Sequence, residues 1–390
     1  MKKLGCLVIA LLVAFLFGCQ VPTDKTTENE NGVNSPDIDK EVMSLNDAID
    51  EKENGERNEE GAAGESGKES SKSPEAWKES VLSTVEPSVE NGESKEKSKE
   101  KTKIAVTVYY RDSDNCLIPI TRDIYKEEGI AKAALRCMVD NDSNRSAVQS
   151  LGLYPVLPEG TEILGMNIKD DIATVDFNSR ILDYKDKTAE NNIVAGVVYC
   201  LTEFSTIDGV KILVEGMEKE KLQYGADISG VLDRDNVLIN SDKVNLQDKL
   251  KKADIYMFKY IKDKNEFIIP ISMEYIGVPE EELPAQIIRM LAEKPANERI
   301  YSLIPSGVEV LGSRIEGNLL ILDFNKEIKN YGGTAREEGI LKQILYSMKQ
   351  LKNIEKIRIL IEGKKDHLPE GTDISGEMLL PVEINRQKDL

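Results

Sequence analysis

From residue 103 onward the chain alternates between two apolar periods. Strict alternation in KIAVTVYY (103–110) and DIYMFKYI (254–261) predicts half-buried strands, each followed by a second short strand through an IPI segment at 118–120 or 269–271. A helical period then takes over. EEGIAKAALRCMVD (127–140) gathers Ile130, Ala134, Cys137 and Met138 on one stripe, and PEEELPAQIIRMLAE (279–293) gathers Ile287, Ile288 and Leu291. TEILGMNIKDDIATVDF (161–177) and VEVLGSRIEGNLLILDF (308–324) read as hairpins that turn at Lys169-Asp170-Asp171 and Glu316-Gly317-Asn318. A second helix is expected to start at Thr188 or Thr334. TARE (334–337) is a capping-box pattern, with Thr334 accepting from a backbone N–H and Glu337 reaching back, whereas TAEN (188–191) keeps only the threonine. Ile193, Val197, Leu201 and Phe204 form one apolar face, and Ile340, Ile344, Met348 and Leu351 form its counterpart. A strand through VKILVEG (210–216) or IRILIEG (357–363) closes each unit, with a last short strand near VLIN (237–240) or VEIN (382–385). The fold class this predicts is α/β or α+β: in each unit, two helices cover one face of a mixed, largely antiparallel sheet.

The pattern is written twice. LPEGTEILG (157–165) lies over IPSGVEVLG (304–312), IATVDFN (172–178) over LLILDFN (319–325), and ILVEG (212–216) over ILIEG (359–363), all at a spacing of 147. Upstream, LIPI (117–120) matches IIPI (268–271) at 151, which implies a small insertion in the second copy. A tandem duplication of a unit of about 135 residues follows, with expected domains at 103–243 and 253–387.

The front of the chain is different. MKKLGCLVIALLVAFLFGC pairs a basic start with an apolar run too short for a stable span, and places Gly18 before Cys19. LFGC (16–19) is similar to a bacterial lipobox, so 1–18 is expected to be a lipoprotein signal peptide and Cys19 the lipidated residue. Residues 20–102 carry 22 Asp and Glu against 11 Lys and Arg, with Trp77 as the only aromatic. Such a stretch buries too little apolar surface to offset its ordering entropy, and 19–102 is expected to be a disordered acidic tether. The remainder is also net acidic, which argues against an electrostatic grip on nucleic acid. Of the five cysteines, Cys116, Cys137 and Cys200 remain in the folded part, an odd number that does not indicate a disulfide framework.

Asp176 and Asp323 are the candidate carboxylates. Alternation puts Leu320, Leu322 and Phe324 on one strand face and Asp323 on the other. With Asn178 and Asn325 two residues on, the pattern fits a strand-end turn held by side-chain-to-backbone bonds. One carboxylate per unit lacks the partner that acid/base chemistry needs. The sole histidine, His367, lies in a polar loop without a counterpart in the first copy, so neither a triad nor a multi-His metal site is expected. DSDN (112–115) hints at a calcium loop but lacks its glycine and terminal glutamate. YGGTARE (331–337) puts two glycines before a helix N-terminus, which can hold an anion, yet the first copy reads YKDKTAE. No catalytic residue, cofactor or metal is expected.

These motifs together resemble the GerM-like sporulation and spore germination lipoproteins, which carry tandem GerMN domains. The resemblance spans about 103–387 and rests on PEGTEILG…ATVDFN (158–178) with VKILVEG, and PSGVEVLG…LILDFN (305–325) with IRILIEG. It implies modules that look like the ring-building units of secretion systems. It also implies a non-enzymatic protein on the outer face of the mother-cell membrane, in the space between mother cell and forespore. Its implied partners are other envelope or sporulation-complex proteins and the membrane itself, with self-association left open. A cell-envelope ligand binder, for peptidoglycan or a solute, is the alternative.

Overall fold

A computed structural model describes residues 102–261, 265–293, 297–388 and 390. The signal segment, Cys19 and the polar stretch up to residue 101 lie outside the described residues. No helix among the described residues is long and apolar enough to cross a membrane.

In chain order the first copy comprises β1 (Lys103–Arg111), β2 (Leu117–Tyr125), α1 (Ile130–Arg136), α2 (Asp142–Val148), β3 (Ile163–Lys169), β4 (Ile172–Phe177), α3 (Lys187–Leu201), β5 (Gly209–Val214) and β6 (Met217–Glu218). The second comprises β7 (Leu250–Ile261), β8 (Asn265–Ile276), α4 (Leu283–Ala292), β9 (Ile300–Tyr301), β10 (Val310–Glu316), β11 (Leu319–Phe324), α5 (Thr334–Met348), β12 (Lys356–Ile361) and β13 (Met378–Leu379). The two tandem repeats divide their strands in the same way. A long antiparallel hairpin (β1–β2, or β7–β8 with β9) stands apart from a four-stranded mixed sheet, ordered β3-β4-β5-β6 or β10-β11-β12-β13. In each sheet the middle pair is parallel, joined through α3 or α5, and the flanking pairs are antiparallel.

Sequence chemistry accounts for the hairpin turns. Asp170 and Asp171 both take positive φ, 51° and 59°, so the two-residue turn between Lys169 and Ile172 matches the twist of its strands. Gly317 serves the second turn at φ 64°. Ala173, Val175 and Phe177 point into the core, as do Leu320, Leu322 and Phe324, against Ile193, Val197, Ile340 and Ile344 of the long helices.

Four expectations change. The strands after the first hairpin turns are long, running nine residues in β2 and twelve in β8. The helix expected over 127–140 is only α1, because Gly129 sits at φ 77° and starts it late; the chain breaks after Arg136 and starts α2 on the cap of Asn141. Neither the capping box at Thr334 nor the threonine cap at Thr188 forms. Asp186, not Thr188, caps α3 by accepting from Ala189 N at 2.8 Å, and α5 starts from Gly333 at φ 94° with no side-chain cap. Lastly, VLIN and VEIN are not themselves strands, and only the second repeat has a short strand near its motif, β13, just before VEIN.

The register locates the insertion. Arg111 pairs with Leu117 at the end of β1–β2, and Phe258 with Ile268 at the same place in β7–β8. Beyond it the second hairpin adds the pairs Lys259–Phe267, Tyr260–Glu266 and Ile261–Asn265. The four-residue difference in spacing is therefore a longer hairpin tip. That tip reaches the first repeat, where Lys259 Nζ lies 3.3 Å from Asp112 and 3.0 Å from Asp114, and Asn265 donates to Leu151 O at 3.1 Å.

Candidate functional site: duplicated carboxylate turns and the polar seam between repeats

The strand-end aspartates turn inward to the backbone. Asp176 Oδ1 accepts from Gly216 N at 2.8 Å and Asp323 Oδ1 from Gly363 N at 2.8 Å, each holding the turn that follows the neighbouring parallel strand. Asn178 accepts from Glu162 N at 3.0 Å and donates to Gly160 O at 3.0 Å. Asn325 does the same with Glu309 N and Gly307 O, at 3.2 and 2.8 Å. The four residues form two identical clips, one per repeat, that tie the two ends of a hairpin together and fix the turn beside it.

A second duplicated carboxylate escaped the sequence reading. Glu190 and Glu337, also spaced by 147, are fully buried in the first turns of α3 and α5. Glu190 accepts from Tyr184 Oη, Tyr224 N and Ala226 N at 2.7, 2.7 and 2.8 Å. Glu337 accepts from Tyr331 Oη, Glu370 N and Thr372 N at 2.9, 2.8 and 3.1 Å. Burial raises the Glu337 carboxyl, but these bonds outweigh it and leave its pKa lowered. The signal was present in the sequence: a Tyr six residues before a Glu, written twice. Assigning Glu337 to a capping box hid it.

The glycine immediately before α5 does face an anion, and it is internal: Gly333 N donates to Glu370 Oε1 at 2.7 Å. The DSDN loop is likewise closed by its own chain. Asp112 Oδ1 accepts from Asp114 N and Cys116 N at 2.9 Å each, and the buried Lys259 ammonium sits against both aspartates. His367 is exposed, its Nε2 3.8 Å from Asp373 Oδ1. The three thiols are free. Burial pushes Cys116 up to about 11 and also raises Cys137 and Cys200, away from the reactive thiolate. Among the described residues no group of three or more His, Cys, Asp or Glu is arranged to hold a metal ion.

A buried polar cluster lies between the repeats. Glu203, at the end of α3, accepts from Arg234 at 2.6 Å and from Tyr109 Oη at 3.0 Å, and pairs with Lys349 of the second repeat at 3.3 Å. Although burial pushes Glu203 up, Arg234 and Lys349 more than offset it and lower its pKa to about 2. Beside it, Lys252 Nζ lies 2.6, 2.9, 2.8 and 3.2 Å from Tyr199 Oη, Val237 O, Asp254 Oδ1 and Ser272 Oγ, four oxygens that share its three N–H donors. Tyr199 in turn donates to Asp254 at 2.6 Å. Every charge here is paired within the chain, so the cluster fixes how the repeats meet.

Comparison with known proteins fits this picture of two equivalent units. Residues 107–220 and 255–367 match the family described as Germane: Sporulation and spore germination. The chain is 26% identical over 291 residues to the spore germination protein GerM of Bacillus subtilis (strain 168), covering 71% of this chain and 77% of that protein. It also superposes on the tandem GerMN domains of the sporulation protein GerM from Bacillus subtilis with a TM-score of 0.63 and 23% identity, covering 72% of this chain and 99% of that structure. With both repeats matched and their fold shared, the chain belongs to the Germane family of sporulation and spore germination proteins.

Proposed function

We propose that the protein is a non-enzymatic lipoprotein, anchored through Cys19 to the outer face of the cell membrane, that assembles or positions a trans-envelope complex between mother cell and forespore. The observation that carries this reading is that both copies, and nearly all of the sheet and helix framework, match a sporulation family. Its partners on this reading are other envelope or sporulation-complex proteins, reached by the paired repeats at the end of the 19–102 segment. A C-terminal fluorescent fusion in sporulating host cells tests it. Signal gathered at the engulfing septum and dispersed by Cys19→Ala is the expected result; uniform labelling of growing cells with no change on sporulation would reject it.

The alternative, an envelope ligand binder, is favoured by one feature. Tyr260 is 51% exposed and stacks on Tyr301, with ring centroids 5.2 Å apart, while Glu266 accepts from the Tyr301 hydroxyl. Pull-down on purified wall material, lost in Tyr260→Ala, would favour that reading over the first.

A further inference from the structure

The two repeats exchange their tails. Ile239, from the first repeat, accepts from Ser272 N of β8 at 2.9 Å and donates to Ser272 Oγ at 2.9 Å. Ile384, from the second, accepts from Thr121 N of β2 at 2.9 Å and donates to Thr121 Oγ1 at 2.8 Å. An asparagine follows each. Asn240 accepts from Leu117 N at 2.6 Å and donates to Leu117 O and Pro270 O at 2.9 and 2.8 Å. Asn385 accepts from Ile268 N at 3.0 Å and donates to Ile268 O and Pro119 O at 2.7 and 2.8 Å. Each amide thus bridges β2 and β8, and the exchange is reciprocal, as a local two-fold relation between the copies produces. The C-terminal side adds Gln387 N to Thr121 O at 2.9 Å and an Arg386–Asp123 pair at 2.6 Å. Both asparagines take positive φ, 52° and 47°, so the backbone is bent to present them.

We propose that Glu383–Gln387 and Val237–Asn240 form a two-part clasp that locks β2 and β8 together, so that the β2 edge at Thr121 stays closed only while the far end of the chain is docked. Neither segment lies within the residues matched to the family, and each bonds the hairpin of the other repeat. β2 otherwise presents a strand edge, and the docked C-terminal segment satisfies its Thr121 N–H and C=O.

Amide hydrogen exchange on the full chain tests this. Asn385→Gly keeps the positive φ and removes only the bridging side chain. Exchange at Thr121 and Ile268 is expected to quicken about tenfold or more, with Leu322 in β11 unchanged. Asn240→Gly should do the same at Leu117 and Ser272. If Asn385→Gly does not fold, Arg386→Ala loosens the same end and should quicken Thr121 selectively. Unchanged exchange at these amides, or an equal quickening across β11, would overturn the clasp.

Discussion

Glu190 and Glu337 show what a single side chain contributes in this protein. Each is a buried carboxylate that three donors, two of them backbone N–H groups, hold in place. Replacing either by Gln removes the charge and turns one acceptor into a donor facing donors. Glu190→Gln and Glu337→Gln are each expected to lower unfolding stability by about 1–3 kcal/mol in urea titrations. Asp176→Ala and Asp323→Ala free one backbone N–H each at exposed turns, so losses nearer about 1 kcal/mol are expected. Glu203 adds a pH dependence. Its carboxyl is lowered from 4.5 to about 2, so its contribution is fully present above about 4.5 and is lost as the pH falls towards 2. That shift corresponds to roughly 3 kcal/mol. Lys349→Ala should shrink this acid-side loss, read as the pH dependence of the thermal midpoint.

At the scale of elements, the sequence made the repeat and most strands and helices legible, because apolar periodicity records which face is buried. Ile193, Val197 and Leu201 are buried on α3, and Ile340, Ile344 and Met348 on α5, as the pattern implied. The starts of the long helices were legible to within a residue, at Lys187 and Thr334, but their caps were not. The threonine at each expected cap is a good capping residue, yet the cap of α3 lies two residues earlier, where Asp186 is extended and accepts from Ala189 N. Asp186→Ala is therefore expected to cost about 1 kcal/mol, whereas Thr188→Ala and Thr334→Ala stay within a few tenths, by chemical denaturation. The VLIN and VEIN segments misled for a related reason. A last short strand was expected near each, but the neighbour that completes their hydrogen bonds belongs to the other copy.

For the molecule as a whole, the polar seam and the exchanged tails predict that the repeats unfold together. Calorimetry of residues 103–390 should give one transition; two separated transitions would show that the seam is weak. By itself, the sequence determined that there are two units, which faces are apolar, and that the aspartates and asparagines at the strand ends are turn-formers. Those properties follow from side-chain chemistry and local spacing, and both are written along the chain. The tertiary structure alone decided that Lys259 fills the DSDN loop, that Glu203 of the first repeat meets Lys349 of the second, and that each tail docks on the other repeat's hairpin. These contacts join residues up to 266 positions apart, as Asn385 and Pro119 are. Which donor a buried acceptor meets across that distance depends on how the two repeats pack, and no local pattern encodes it.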